Sequence, residues 1–167
     1  LDLQEVTRIA SKARDNINTI GLALSPGSIP GLDKSTFELG DTEIEFGMGL
    51  HGEPGIERTQ MQPAKQLVDR LYSELKSEMN LEKGDEIAVL VNGLGSTTLL
   101  ELQIAYYELD KRLKEDGLRV YDSEVKSWCT CQEMGGFSIT ILRLDEELKK
   151  YYSASCFSPY FARGEIK

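Results

Sequence analysis

A single histidine stands in the most glycine-rich stretch of the chain. His51 is the one histidine among 167 residues, and residues 47–55 around it contain four glycines and a proline. Glycines have no side chain to crowd an imidazole, and they let the backbone approach a ligand closely. A free imidazole has a pKa of about 6.5, so at neutral pH it can act as a base, a ligand or a nucleophile. His51 is therefore the first candidate for chemistry, and a surface histidine without a role is the alternative.

A second glycine turn, at residues 93–96, follows an apolar run and precedes a helical pattern. Backbone N–H groups at such a turn can bind an anion at the start of the helix. The turn lacks the lysine of a phosphate-binding loop and the third glycine of a dinucleotide fingerprint. The sequence therefore favours a structural turn formed by Asn92, with Ser96 or Thr97 as the helix cap.

The chain has three cysteines, which limits the metal and redox chemistry it can perform. Cys129, Cys131 and Cys156 could join His51 in a set of four zinc ligands, but their spacing matches no standard zinc arrangement. We therefore expect no metal site. An odd cysteine count favours reduced thiols and a cytoplasmic location. Cys129 and Cys131 lie two apart in a run that looks extended, so we expect one strand face and ordinary buried thiols there.

Composition narrows the class of protein. The length predicts one domain, and 40% hydrophobic with 28% charged residues is typical of a globular chain. The formal net charge of −9 repels nucleic acid and anionic lipid, and no apolar run is long enough to span a bilayer. We therefore expect direct binding neither to nucleic acid nor to membranes.

The predicted elements place these residues in a layered structure. Periodicity predicts helices over 3–17, 63–80 and 98–115, and a short helix capped by Asp145. Alternating or continuous apolar runs predict extended segments at 20–24, 36–39, 42–46, 87–91, 118–121, 125–130 and 137–144. Gly40-Asp41 predicts a hairpin between residues 36–39 and 42–46, and the last fifteen or so residues are expected to be a tail. The fold class is α/β, a mixed sheet with helices packed on it, in a single layered domain.

The glycine loop also resembles a known signature. Residues 46–55 resemble a segment of the substrate-binding K subunit of dihydroxyacetone kinases, and residues 36–40, 91–95 and 133–140 resemble further family segments in the same order. The resemblance covers about residues 3 to 148 and corresponds to the C-terminal half of that subunit. Because the chain also starts at Leu1 without a methionine, we expect residues 1–167 to be that C-terminal domain, with the N-terminal half absent.

The resemblance implies a role for each loop residue. It implies that His51 Nε2 attacks the carbonyl carbon of dihydroxyacetone to form a hemiaminal, and that the loop with Gly49, Gly52, Glu53 and Gly55 closes on the substrate. A covalent bond to the imidazole would make the site selective for short sugars with a carbonyl group, because an imidazole adds to a ketone and not to glycerol.

The resemblance also implies partners. Phosphoryl transfer is expected to use a nucleotide-bearing L-type subunit, which holds the nucleotide and magnesium, so no cofactor is expected in this chain. The family's acid and base residues belong to the N-terminal half, so the chain alone is expected to be inactive as a kinase. A homodimer is expected by analogy.

Two alternatives stay open. One is a regulatory paralogue that senses dihydroxyacetone through the same histidine and activates a transcription factor, since residues 128–132 and the tail 153–167 depart from the family pattern. The other is an interaction domain in which His51 is idle. The phosphoryl donor, ATP or a phosphotransferase-system relay, depends on the partner.

Overall fold

One mixed β-sheet with helices on both faces forms the body of the protein. The computed structural model describes residues 1–31, 34–49 and 53–164. In chain order its elements are α1 (Leu3–Arg14), β1 (Ile17–Ser25), β2 (Glu43–Phe46), β3 (Glu57–Gln60), α2 (Ala64–Met79), β4 (Glu86–Gly93), α3 (Leu99–Glu115), β5 (Arg119–Lys126), β6 (Gly135–Leu144), α4 (Glu146–Tyr152), β7 (Cys156–Phe157) and β8 (Ala162–Arg163).

The strand order is β3-β2-β1-β6-β4-β5. The β4–β5 pair is parallel and is joined through α3, whereas the other neighbouring pairs of this sheet are antiparallel. The two short strands β7 and β8 pair only with each other. The predicted class, a single layered domain built on a mixed sheet, is confirmed.

Helices α2 and α3 pack on one face of the sheet and enclose the main core. The largest contributors are side chains from both layers: Leu22, Phe46, Ile87, Val91, Ile139, Ile141, Leu71, Tyr72, Leu75, Leu102 and Leu109. Burying each large apolar side chain contributes roughly 1.5–3 kcal/mol, so this layer dominates the stability. β4 is buried along most of its length, as the apolar run predicts.

Local signals fix where the two core helices begin and end. Thr98 and Glu101 form a reciprocal capping box at the start of α3, and Gly117 follows its end with φ +73°. Pro63 precedes α2, and Asn80 ends it in the left-handed conformation. Both helices agree with the sequence prediction.

On the opposite face of the sheet, helices α1 and α4 cover one end. There, side chains of β4, β6, α1 and α4 form a small cluster: Ala88, Leu142, Leu144, Leu148, Ile9 and Ala13. Further along, Leu90 and Thr140 on this face line two cavities. No helix within the described ranges combines the length and apolarity needed to cross a bilayer.

The predicted hairpin around Gly40-Asp41 is wrong. β2 pairs with β1 and with β3, so its hairpin partner lies beyond the glycine loop, with Phe46 opposite Glu57. Gly40 still forms a turn, closed by a Glu43 N–H bond to the Gly40 carbonyl of 2.9 Å. Residues 36–39 form no strand; Thr36 instead bonds the Gly27 carbonyl.

Two predicted boundaries also change. α1 ends at Arg14 instead of residue 17, because Asn16 Nδ2 donates to the Lys12 carbonyl and Ile17 already begins β1. The two extended runs at 118–121 and 125–130 are one strand, β5, which ends at Lys126. Cys129 and Cys131 are therefore not on a strand face.

Candidate functional site

The glycine loop connects β2 to β3, and its two stems are hydrogen-bonded to the sheet and to each other. The Gly47 N–H donates to the Gly21 carbonyl (2.7 Å), and the Ile56 N–H donates to the Phe46 carbonyl (2.7 Å). His51 and Gly52, the predicted nucleophile and one of its loop glycines, lie outside the described residues. Their roles stay predictions.

The described loop residues approach one another closely. The Gly49 N–H donates to the Glu53 carbonyl at 3.3 Å. A Cβ on Gly49 would lie 2.2 Å from Glu53 Oε2, and a Cβ on Gly55 would lie 2.4 Å from the Phe46 carbonyl oxygen. Because backbone atoms cannot move away as a side chain can, residue 55 must be glycine for this stem to close.

A buried carboxylate supports the second stem. Glu45 in β2 is only 8% exposed. Its Oε1 accepts the Gly55 N–H (3.1 Å), and its Oε2 accepts Nε–H of Arg58 (3.0 Å). Sequence reasoning missed Glu45. The available signal was an acidic residue between Ile44 and Phe46 in an apolar strand, directly before the loop.

A cavity of about 430 Å³ opens beside the loop. Its walls come from β1, from both loop stems, from α2 through Glu78, from β4 and the turn after it, from the segment after β5 and from β6, and they include Thr19, Gly21, Met48, Gly49, Ile56, Asn92, Leu94, Trp128, Cys129, Ser138 and Thr140. Thr19 and Thr140 share a hydroxyl–hydroxyl bond of 2.8 Å on this wall. The cavity thus joins polar groups of the sheet to the stems of the predicted substrate loop.

Asn92 fixes the wall opposite the loop. Its Oδ1 accepts the backbone N–H groups of Trp128 (2.8 Å) and Cys129 (2.9 Å), and its Nδ2 donates to the Cys129 carbonyl (2.8 Å). Asn92 is 4% exposed, so its side chain is largely shielded from water and its amide groups are paired. The prediction that Asn92 forms the glycine turn is wrong, because this residue lies within β4 and binds a distant segment.

The glycine turn after β4 is structural, as predicted. The N–H of Leu94 donates to the Gly136 carbonyl, and the N–H of Ser96 donates to the Met134 carbonyl. Thr97 Oγ1 accepts the Gly136 N–H at 2.7 Å. The helix cap is Thr98, one residue beyond Thr97 and two beyond Ser96, the two predicted caps. These amides already have partners in the fold, which weakens the anion-binding alternative.

Residues 128–132 and the tail 153–167, the two segments expected to differ from the family pattern, contact each other. The Trp128 ring contacts Tyr160 and Phe161 edge-on, with ring centroids 5.2 and 5.3 Å apart. The Tyr160 hydroxyl donates to the Ser127 carbonyl at 2.7 Å. Trp128 also lines a second, apolar cavity of about 280 Å³, together with Phe161. The tail is therefore packed against the wall of the loop cavity.

The three thiols are free. Cys129 and Cys156 are exposed and Cys131 is half-buried, so the expectation of ordinary buried thiols at Cys129 and Cys131 is wrong. Through residues 1–31, 34–49 and 53–164, no three His, Cys, Asp or Glu side chains come together as metal ligands.

The fold and the loop define a known family. A family model described as the Dak1 domain matches residues 1–160, and the chain belongs to that family. It is 43% identical to the dihydroxyacetone-binding subunit DhaK of the PTS-dependent dihydroxyacetone kinase 2 of Listeria innocua, over 96% of this chain and 49% of the relative. The chain thus spans about half the length of this curated relative.

Two solved structures are similar over nearly the whole chain. The dihydroxyacetone kinase operon co-activator DhaQ has a TM-score of 0.85 and 32% identity, with 93% of this chain and 48% of that one covered. The dihydroxyacetone kinase of C. freundii in its native form has a TM-score of 0.86 and 27% identity, with 100% of this chain and 31% of that one covered.

Proposed function

We propose that this chain binds dihydroxyacetone covalently through His51, for phosphorylation by a nucleotide-bearing L-type partner subunit. The observation that carries the proposal is the Dak1 match together with 43% identity to a dihydroxyacetone-binding subunit. The cavity of about 430 Å³ between the loop stems and the Asn92 wall supports it. A neutral ketose also suits a chain with a net charge of −9.

The proposed step is an addition that needs no leaving group. The lone pair of neutral His51 Nε2 attacks the carbonyl carbon, a C–N bond forms, and the C=O π pair moves to oxygen. The ring proton on Nδ1 is released as the new alkoxide oxygen takes up a proton, so the hemiaminal is neutral. The tether holds the ketose while a terminal hydroxyl receives the phosphoryl group.

The partner subunit is proposed to supply the phosphoryl donor. Nucleotide and magnesium are assigned to the L-type subunit, and the phosphoryl donor is ATP or a phosphotransferase-system relay according to that partner. We further propose that the protein is cytoplasmic and forms a homodimer. Without the L-type partner, this chain is expected to hold the ketose but not to phosphorylate it.

A dihydroxyacetone sensor is the second candidate, favoured by the likeness to the co-activator DhaQ at 32% identity. In that case the same covalent binding controls a transcription factor and no phosphoryl transfer takes place. The longer parent protein, mixed with an L-type subunit and a phosphoryl donor, distinguishes the two. Dihydroxyacetone phosphate supports the kinase subunit; bound ketose without product supports the sensor.

The covalent tether can be observed directly by NMR. Because His51 is the one histidine in the chain, growth on ¹⁵N-histidine labels a single imidazole. With carbonyl-¹³C dihydroxyacetone, we expect a tetrahedral carbon signal split by one-bond coupling to nitrogen. Hydrated dihydroxyacetone is also tetrahedral but has no bond to nitrogen, so the coupling distinguishes the two species.

The His51→Ala variant is the control for binding. It should lose protein-dependent ketose binding while keeping the wild-type melting temperature. A variant that binds as well as wild type would leave His51 idle and overturn the proposal. Should neither protein bind, the same measurement on the longer parent separates an idle histidine from a pocket that needs the N-terminal half.

A further inference from the structure

A carboxylate lies buried beneath the loop whose sequence contains His51. Charged side chains are almost never buried unless they are paired, and Glu45 is 8% exposed. Its two oxygens have different partners. Oε1 accepts from the loop residue Gly55, at 3.1 Å, and Oε2 accepts from Arg58 of β3, at 3.0 Å. One carboxylate therefore connects β2, the loop stem and β3.

The backbone register shows why this position controls the stem. Glu45 lies directly opposite Arg58 in the β2–β3 ladder, so the ion pair crosses the hairpin one residue pair before the last pair of the ladder, Phe46 and Glu57. The next N–H groups along the chain, of Gly55 and Ile56, donate to Glu45 and to the Phe46 carbonyl. Both bonds must form for the stem to close.

The contact to Gly55 is the one that reaches the loop stem. The Arg58 side chain is 48% exposed, and such half-exposed ion pairs are screened by water. Both bonds share the Glu45 carboxylate as acceptor, and hydrogen bonds to a charged group are about twice as strong as neutral ones, but only the bond from Gly55 holds the loop stem itself. Removing the acceptor leaves this N–H without its partner.

We propose that Glu45 is a positioning residue of the ketose site. Its carboxylate holds the second stem of the loop so that the loop presents His51 to a bound ketose. This inference rests on the proposed function and adds to it a residue that does not touch the substrate. Glu45 acts through the Gly55 amide, so its loss should weaken tethering without removing the nucleophile.

Three variants test the proposal in the intact chain. Glu45→Met has similar length and no acceptor, Glu45→Gln keeps a neutral acceptor for Gly55, and Glu86→Met removes a carboxylate at the far end of the sheet. Glu86 is a matched control because its carboxylate also has two partners, in this case the cations Arg119 and Lys149, each at 3.2 Å. The readouts are the nitrogen-coupled carbon signal, the exchange rate of the Gly55 amide proton and the melting temperature.

We expect Glu45→Met to weaken ketose binding about tenfold and Glu45→Gln about threefold. Exchange at Gly55 should accelerate in the same order, and Glu86→Met should change neither readout. The graded recovery by glutamine distinguishes positioning from a general loss of stability, which the melting temperature reports separately. Binding by Glu45→Met equal to wild type overturns the proposal.

The failure of this inference and that of the proposed function are distinguishable. If wild type binds and His51→Ala does not, the function holds and the Glu45 variants decide the positioning role. If wild type shows no nitrogen-coupled signal, the measurement on the longer parent decides the proposed function, and unaccelerated Gly55 exchange in Glu45→Met separately rules out the anchor. Should Glu45→Met not fold, Glu45→Gln serves as the test variant, and its ketose binding is expected to be about threefold weaker than that of wild type.

Discussion

Two buried polar side chains, Glu45 and Asn92, support the surroundings of the cavity: Asn92 lines its wall, and Glu45 bonds the second loop stem. Among the described residues, Glu45 bonds a backbone amide and a cross-strand arginine, Asn92 bonds backbone groups of Trp128 and Cys129, and each is less than a tenth exposed. A buried polar group with complete partners costs little, whereas removing one partner leaves the other unsatisfied at about 1–3 kcal/mol. At the scale of the residue, the site is therefore sensitive to changes that do not touch the ligand.

Gly55→Ala tests how tightly the loop stem must close. The new Cβ would lie 2.4 Å from the Phe46 carbonyl oxygen and 2.9 Å from Glu45 Cγ, so the backbone has to move. We expect the variant to lose about 1–3 kcal/mol of unfolding free energy in urea and to bind dihydroxyacetone more weakly.

Gly40→Ala is the matched control, because its Cβ would meet only the flexible Glu43 side chain, at 3.0 Å. It should unfold within about 0.5 kcal/mol of wild type. A Gly55→Ala variant as stable as this control would show that the stem tolerates a wider spacing.

At the scale of elements, the cavity lies between a hairpin and an irregular segment. The β2–β3 hairpin carries the loop, and the segment 127–134 between β5 and β6 contributes Trp128 and Cys129 to the wall of the cavity. That segment has no strand or helix of its own. Its shape depends on Asn92 and on the aromatic contacts of Trp128 with the tail.

Asn92→Ala should therefore loosen the wall. The change removes three hydrogen bonds to Trp128 and Cys129, and we expect it to lower the free energy of unfolding in urea by about 2–4 kcal/mol. Asn92→Asp keeps both acceptor bonds but turns a carboxylate oxygen towards the Cys129 carbonyl, so an intermediate loss is expected. Equal stability of wild type and Asn92→Ala would contradict this account.

The sequence predicts elements better than pairings. Helices α2 and α3 and strands β4 and β6 are predicted because periodicity and caps are local signals. The partner of β2 is not, since the choice between residues 36–39 and β3 depends on tertiary contacts. For the same reason the sequence does not predict the roles of Glu45 and Asn92, because each of these two side chains bonds a residue at least ten positions away.

At the scale of the whole molecule, charged contacts attach the first helix. α1 has no fully buried side chain, and it meets α4 through ion pairs of Glu147 with Arg8 and with Lys12, the latter at 2.7 Å. The hydrogen bond from Arg8, followed by that from Lys12, lowers the pKa of Glu147 to about 2. This contact should therefore be sensitive to acid.

The sign follows from the lowered pKa. As the pH falls, Glu147 takes up a proton at a higher pH in the unfolded chain than in the folded one. The contribution of the Glu147 ion pairs to folding stability is therefore complete above a pH of about 5 and is lost as the pH falls towards 2. We expect Glu147→Gln to melt at a lower temperature than wild type at neutral pH and at the same temperature near pH 2. Calorimetry across this range measures the difference.

Glu146→Gln is the control on the same helix, because the Glu146 carboxylate is exposed and its ion pair is with Lys149 of α4 itself. It should change the melting temperature little at any pH. A Glu147→Gln difference that persists undiminished at pH 2 would show that packing of Ile9 and Ala13, and not charge, holds α1.

Trp128 is the one tryptophan in the sequence, and its ring borders both cavities while contacting the tail. The protein therefore contains its own fluorophore at the junction of the loop cavity, the apolar cavity and the C-terminal hairpin. Its emission can report ligand entry and tail displacement in unlabelled protein, and a cation 4.3 Å from its ring, on Lys126, gives the resting state a distinct local field.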